Sequence, residues 1–120
     1  MADSEALEAA SFETFSSLDI RTGCVVAAIE FPEARKPAIK LQIDFGPRLG
    51  ILQSSAQLTR HYSPADLVGT EVLAVVNFPP RRIAGFKSQV LVLGVINPLD
   101  PGDIVLVRPD RPGTVGWRLG

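Results

Sequence analysis

Two short segments of the chain combine aromatic, basic and proline residues in a pattern that suits ligand binding. The first is residues 31–38, where Phe31 precedes an Arg35-Lys36 pair set between prolines that restrict the backbone. The second is residues 77–88, whose central members are Phe78, Pro79, Pro80, Arg81 and Arg82. Aromatic rings interleaved with bases suit either base stacking with phosphate contact or an apolar peptide groove with a charged rim.

Residues that commonly carry catalysis are few and poorly placed for it. Cys24 lies within an apolar, β-branched run, which predicts a buried packing residue and not a nucleophile. His61 has no evident nucleophile as a partner, so we expect His61 and Tyr62 to cover one end of the fold. A single Cys and a single His cannot supply a zinc site. We therefore expect a non-enzymatic protein that uses no metal or other cofactor.

The charge balance excludes two further classes of protein. Twelve basic and thirteen acidic residues give a net charge of −1, which argues against a uniformly basic nucleic-acid binder and against a strongly acidic chain. Residues 1–19 contain five acids and no base, so residues 20–120 carry a net charge of +4. No basic leader and no apolar run of about 20 residues is present. We expect a cytoplasmic protein without membrane insertion.

The length of 120 residues predicts one domain. We expect a flexible tail over residues 1–10 and a single domain over residues 11–120. Alternating and β-branched runs predict strands at 20–30, 39–45, 49–54, 71–78 and 89–96. The Ser63-Pro64 pair and Gly69 predict a helix over 56–69. We also predict a short helix after Ser11 and a last strand over 104–108.

Five strands with a helix between the third and the fourth is the order of the oligonucleotide/oligosaccharide-binding (OB) barrel, a small Greek-key fold. Other small barrels share this order, because order alone does not fix topology. In the OB barrel, the loop between strands one and two and the loop between strands four and five flank the ligand face. These loops are the two segments described above, and we expect Phe31 to be an exposed aromatic residue there.

Apolar residues in the two terminal extensions indicate assembly. Phe12, Phe15 and Leu18 follow one another at helical spacing and need a surface to cover them. Ile104 and Leu106 lie in the last strand, which needs a partner edge. The sequence therefore predicts a homodimer with these five residues in its interface.

Several motifs in order resemble one known family. They are Asp19-Ile20-Arg21-Thr22-Gly23, residues 31–38, Ser54-Ser55-Ala56-Gln57, Val76-Asn77-Phe78-Pro79-Pro80 and residues 90–95. The chain from about Phe12 to Arg111 resembles the CsaA family of export-related chaperones, within the tRNA-binding-domain superfamily. The resemblance implies an OB barrel, a homodimer, and binding of unfolded or presecretory polypeptides near the export machinery, with the export ATPase as a possible partner.

The wider superfamily supplies the alternative, which is a tRNA-binding module. Its members carry Asn-Leu-x-Pro-x-Lys-x-x-Gly-x-x-Ser-x-Gly-Met after strand four. Asn77, Pro80, Arg82, Gly85 and Ser88 fit that pattern, with Arg for Lys. Val90 and Leu91 replace the Gly-Met pair and Phe78 replaces Leu, which favours the chaperone branch. We expect Val90 to fill the space that glycine leaves open and to make the surface more apolar.

Polypeptide binding and RNA binding are both expected at the same face of the barrel. For a polypeptide, we expect an apolar pocket at Phe31, Phe78, Pro79 and Pro80 with a basic rim. For RNA, the same bases would contact phosphates and Phe78 would stack on a base. The binding residues expected in either case are Phe31, Arg35, Lys36, Lys40, Asn77, Phe78, Pro79, Pro80, Arg81, Arg82 and Ser88.

Overall fold

A computed structural model describes residues 6–120. The elements are α1 Phe12–Ser16, β1 Ile20–Glu30, β2 Ile39–Asp44, β3 Ile51–Ala56, α2 Pro64–Leu67, β4 Glu71–Val75, β5 Arg81–Ile83, β6 Phe86–Ser88, β7 Leu91–Val92, β8 Gly94–Asn97 and β9 Asp100–Leu106. Residues 6–10 carry no helix or strand, and the remainder of the predicted tail lies outside the described residues.

The central sheet confirms the predicted five-stranded barrel. It is antiparallel with the order β3-β2-β1-β4-β7. The long β1 serves two neighbours, since its first half pairs with β4 and its second half with β2, across a bulge between Val25 and Ala27. Gly23 permits this curvature, because a Cβ there would lie only 2.5 Å from the Ile43 side chain.

The core lies inside the barrel and follows the predicted alternation of β2. Ile39, Leu41 and Ile43 are fully buried, while Gln42 between them is exposed. Leu67 of α2 is also fully buried, so the short helix covers one end of the barrel. These residues form one cluster that holds the strands at fixed positions relative to one another.

The barrel is closed without a ladder between its outermost strands. No strand pairing joins β3 to β7 among residues 6–120. Four hydrogen bonds link β3 to residues 88–90 instead, and three of them use a side chain. The Gln89 N–H donates to the Gln53 carbonyl at 2.8 Å, and the Ser54 hydroxyl donates to the Val90 carbonyl at 2.9 Å. We call this junction the seam.

The predicted helix over 56–69 is much shorter in the structure. Only Pro64–Leu67 is helical, and residues 57–63 form turns with a Tyr62 N–H to Leu58 carbonyl bond. Pro64 explains the difference, because a proline disfavours helical backbone in the residue before it. Ser63 caps the helix in a reciprocal capping box with Asp66.

The second half of the chain also departs from the predicted strands. Residues 77–88 form the hairpin β5–β6 and not a plain loop, and strand four ends at Val75. The single strand predicted over 89–96 is divided into β7, which stays in the barrel, and β8. β8 pairs with β9, which starts at Asp100 rather than at residue 104. The last strand therefore finds its edge within the same chain.

The C-terminal segment is fastened to the barrel by Glu71. Its carboxylate accepts hydrogen bonds from the Gly113 N–H at 2.6 Å and from the Thr114 N–H and hydroxyl. Residues 116–119 then bond to the first residues of β1, with the Thr22 N–H donating to the Trp117 carbonyl. The Gly113 bond is the main cause that lowers the pKa of Glu71 below its ordinary value of 4.5, against a smaller opposing effect of burial.

We predict that Glu71→Gln destabilises the fold at neutral pH by about 1 kcal/mol, because one anionic acceptor is lost. A carboxyl group whose folded-state pKa is lowered stabilises the fold above its unfolded-state pKa, and that contribution is lost as pH falls through the folded-state pKa. The difference in Tm from the native chain should therefore be about 4 °C at pH 7 and vanish in acid. Thermal unfolding across pH measures it, with Glu30→Gln at an exposed position as the control. A difference that persists below the pKa would contradict this account.

Candidate binding groove

The two predicted ligand loops meet at one end of the barrel and enclose a groove of about 1100 Å³. Residues 33–36 form one wall, and residues 81–84 of the β5–β6 hairpin form another. The end of β3 and the β7–β8 segment lie between them. The groove is lined by Glu33, Ala34, Arg35, Lys36, Ala38, Ser55, Ala56, Gln57, Leu58, Arg81, Arg82, Ile83, Ala84, Leu91, Val92, Leu93, Gly94, Ile96 and Ile104.

The charged rim of the groove is mainly basic. Four exposed bases line it, and Glu33 is the one acid among the lining residues. The bases are Arg35, Lys36, Arg81 and Arg82. The remaining lining is dominated by Ala, Leu, Ile and Val side chains. An apolar floor under a basic rim suits a ligand that has apolar groups and negative charge.

Phe31 occupies a different place from the one predicted. It is 2% exposed, so the expectation of an exposed aromatic residue in this loop is wrong. Its ring packs edge-on against Phe86 of the hairpin, with the ring centroids 5.5 Å apart. The Lys40 ammonium lies 4.4 Å from the Phe31 centroid and 5.1 Å from the Phe86 centroid. This stack joins the base of one groove wall to the other wall.

Phe78 lies in a smaller cavity beside the groove. The Phe78 cavity has a volume of about 260 Å³, and Pro79, Arg81, Ile83 and Leu91 are among its lining residues. Three of these, Arg81, Ile83 and Leu91, also line the groove, so the two spaces adjoin. Phe78 is 44% exposed and leaves much of its ring open to a ligand.

Asn77 and Ser88 use their side chains within the fold. The Asn77 amide accepts from the Asp19 N–H at 2.9 Å and donates to the Ser17 carbonyl at 2.9 Å, which fixes the end of α1. The Ser88 hydroxyl accepts from the Ser55 N–H at 3.0 Å across the seam. The polar residues of the superfamily motif therefore hold the barrel together at this end.

Two effects were expected of Val90, which were to fill the space of a glycine and to make the surface more apolar. In the structure, Val90 has the first effect and Leu91 has the second. Val90 is 4% exposed and belongs to the core, so it does not make the surface more apolar as predicted. Leu91 is 47% exposed and lines both the groove and the Phe78 cavity. The apolar character at this position of the motif comes from Leu91.

The predicted dimer residues fall into two groups. Leu106 is buried in the core of its own chain, and the half-buried Leu18 and Ile104 pack against the two apolar clusters. A role of these three residues in a dimer interface stays a prediction. Phe12 and Phe15 are exposed, with ring centroids 6.2 Å apart. Trp117 is 65% exposed near the end of the tail, and sequence patterning did not single it out.

Cys24 and His61, the residues considered for catalysis, each have their own contacts. Cys24 is half-buried and not buried as predicted, because its neighbours on the sheet are Asp44 and Glu71. His61 pairs with Asp103 of β9 at 2.5 Å. A hydrogen bond from Asn97, followed by that from His61, lowers the pKa of Asp103. Within residues 6–120, no group of His, Cys, Asp or Glu side chains could hold a metal ion.

Comparison with known proteins shows the family. A family model described as a putative tRNA binding domain matches residues 20–118. The methionine–tRNA ligase of Chlorobium chlorochromatii is 36% identical over 108 residues, which is 90% of this chain and 15% of the ligase. The chain thus spans about 15% of the length of that curated relative. The chain therefore belongs to the tRNA-binding-domain family.

Two solved structures show which members of the family this chain is similar to. The crystal structure of the chaperone CsaA from Bacillus anthracis is 54% identical with a TM-score of 0.87, covering 93% of this chain and 99% of that one. The CsaA chaperone protein from Picrophilus torridus is 42% identical with a TM-score of 0.85, covering 93% and 100%. Within its family the chain is of the CsaA type, as its motifs indicated. Among the described residues, no helix has the length and apolarity that crossing a membrane requires.

The tip of the β5–β6 hairpin contains a strained residue. Ala84 has φ of 47°, the one positive φ among the described non-glycine residues, and Gly85 follows with φ of 81°. Two positive φ angles in a two-residue loop define a type I′ turn, which prefers Asn-Gly. We predict that Ala84→Asn raises stability by about 0.5 kcal/mol, while the β-branched Ala84→Val lowers it by about 1 kcal/mol.

Urea unfolding of the Ala84 variants tests this assignment of strain. The urea concentration at the unfolding midpoint should rise for Ala84→Asn and fall for Ala84→Val. The slope of the unfolding free energy against urea concentration should stay unchanged. Equal midpoints for the two variants would show that the turn at the groove rim is not strained.

Proposed function

We propose that this protein is a non-enzymatic chaperone that binds unfolded or presecretory polypeptides in the groove and the Phe78 cavity. The observation that carries the proposal is the adjoining pair of apolar spaces under a rim of four bases and one acid. An unfolded segment exposes apolar side chains, and the partly open ring of Phe78 offers them an aromatic anchor. The likeness to structures described as CsaA chaperones supports the same function.

The apolar residues at the end of the superfamily motif favour a polypeptide ligand. Leu91 presents an exposed aliphatic side chain to both spaces where the pattern has Met, and Val90 fills the core where the pattern has Gly. The stack of Phe31, Phe86 and Lys40 keeps the groove walls apart, so binding does not have to order them first.

The second candidate function is binding of tRNA at the same surface. It is favoured by the family model and by the methionine–tRNA ligase relative. Arg35, Lys36 and Arg82 would contact phosphates, and Phe78 would stack on an unpaired base. In that case, removing the three charges together should abolish binding and flatten its salt dependence.

Assembly and location complete the proposal. We propose a homodimer in the cytoplasm, with the exposed Phe12 and Phe15 of α1 covered by the second copy. Dimerisation would present two grooves to one client, which raises avidity when both are engaged. The export ATPase is the partner that the resemblance implies for handing presecretory clients on.

The Phe78→Ala variant tests the proposed function. We predict that it weakens binding of an unfolded presecretory protein by more than about 2 kcal/mol, because an aromatic anchor that the client would cover is lost. Arg81→Ala should cost on the order of 1 kcal/mol or less, since this rim charge is exposed to water. Affinities are measured by titration, and Leu99→Ala, which removes an exposed apolar side chain outside both the groove and the proposed dimer interface, is the control.

Two results would contradict the polypeptide function. One is normal polypeptide binding by Phe78→Ala, with folding verified by circular dichroism. The other is complete loss of binding when Arg35, Lys36 and Arg82 are replaced together while Phe78 is intact. The second result, with tRNA bound by the native chain, would instead support the RNA-binding function.

A further inference from the structure

The edge of β3 at the seam offers main-chain groups that the barrel does not use. The Gln53 N–H and carbonyl both bond to Gln89, so the main chain of Gln53 faces the seam. Strand periodicity of two gives Ser55 the same direction. Gln57 follows the last residue of β3, and Ala56 is aligned with Ile39 of β2. Across the trans peptide the Gln57 N–H points opposite to the Ala56 carbonyl, and so away from β2. The Ser55 N–H is taken by the Ser88 hydroxyl. No ladder uses the Ser55 carbonyl or the Gln57 N–H on this side, because no strand pairs with this edge of β3 among residues 6–120.

On the opposite side of the seam, β7 also has main-chain groups that the barrel does not use. The Leu93 N–H bonds to the Leu73 carbonyl and so faces β4, while the Leu93 carbonyl accepts from the Val107 N–H. Val92 precedes Leu93 and is aligned with Ala74, which turns the Val92 N–H and carbonyl away from β4 and toward β3. Ser55, Gln57 and Val92 all line the groove. Main-chain donors and acceptors therefore face the groove from both sides.

We propose that the groove binds its client as an extended strand, which pairs through its main chain with the Ser55 carbonyl at the edge of β3 and with the Gln57 N–H just beyond it. This inference rests on the proposed function and specifies how the polypeptide is recognised. Unused edge groups are the usual template for adding a strand. Apolar side chains at alternate client positions then reach the floor formed by Leu58, Ile96 and Ile104.

Main-chain pairing matches what a binder of unfolded chains needs. Every polypeptide has the same backbone, so an edge can bind segments of different sequence, whereas a helix or a folded domain is rejected because its backbone groups are already bonded. The four rim bases against the single Glu33 favour segments with acidic residues next to the apolar ones. An RNA has no N–H and carbonyl pattern at strand spacing, so it cannot pair with this edge.

Gln57 allows a test that removes one edge donor and little else. The Leu58 N–H bonds to the Ala56 carbonyl at 3.0 Å, so Gln57 is the centre of a three-residue turn. Its φ is negative, since Ala84 is the one described non-glycine residue with a positive value. An inverse γ-turn has φ near −75°, which proline adopts without strain. Gln57→Pro thus deletes the N–H that faces the groove, and Gln57→Ala is the matched control that keeps it.

The experiment titrates both full-length variants and the native chain with a labelled, capped peptide in which valine alternates with threonine and each end carries aspartate. We expect Gln57→Pro to bind the peptide about fivefold more weakly than Gln57→Ala, the effect of one lost hydrogen bond. N-methylation of the peptide, one residue at a time, should weaken binding at the residue whose N–H bonds to the Ser55 carbonyl, because the methyl group removes that donor.

The outcomes separate this inference from the proposed function. Equal affinities for Gln57→Pro and Gln57→Ala, or tolerance of N-methylation at every position, would overturn strand pairing while polypeptide binding itself persists. Failure of the native chain to bind any unfolded polypeptide would overturn the proposed function and this inference with it. A larger loss for Gln57→Pro with an unchanged Tm supports the inference, because the effect is then on binding and not on stability.

Discussion

The barrel must close between β3 and β7, and this closure depends on hydrogen bonds from side chains. Gln53, Ser54 and Ser55 face Ser88, Gln89 and Val90 there, and no ladder forms among the described residues. Because hydroxyl and amide side chains make most of the bonds, part of the main chain on both strands stays unused. The same junction brings the β5–β6 hairpin against β3. The groove therefore lies where the strands of the barrel are not joined by a continuous ladder of main-chain hydrogen bonds.

A second contact fixes the width of the groove. Phe31 and Phe86 come from different walls, and the Lys40 ammonium covers both rings. Phe31 is buried and Phe86 and Lys40 are half-buried, and none of the three lines the groove, so the stack positions the loops without occupying the binding surface. The residues that the sequence predicts as ligand contacts thus fall into two groups with different roles. Phe31 and Lys40 position the walls, while Arg35, Lys36, Arg81 and Arg82 form the rim.

The sequence predicts the barrel well because its signals are local. Alternation over Ile39–Asp44 and the β-branched run of β1 identify strands whose side chains have one buried face. The rim bases are also found, since charged residues beside prolines in loops stay exposed. Sequence reasoning fails where a long-range contact decides the outcome. Phe86 buries Phe31, Pro64 shortens the helix, and β9 removes β8 from the barrel. Glu71 binds a tail more than forty positions away, at Gly113 and Thr114, which no local pattern reveals.

The central claim is that an apolar, strand-pairing surface, and not phosphate neutralisation, determines what this protein binds. Titration with a chemically unfolded presecretory protein and with tRNA, each at low and at high salt, tests it most directly. The account predicts that polypeptide affinity changes little with salt, since burial of apolar groups is not weakened by ions, while any tRNA binding falls steeply as counterions compete. Polypeptide affinity that collapses at high salt in parallel with tRNA binding would contradict the account.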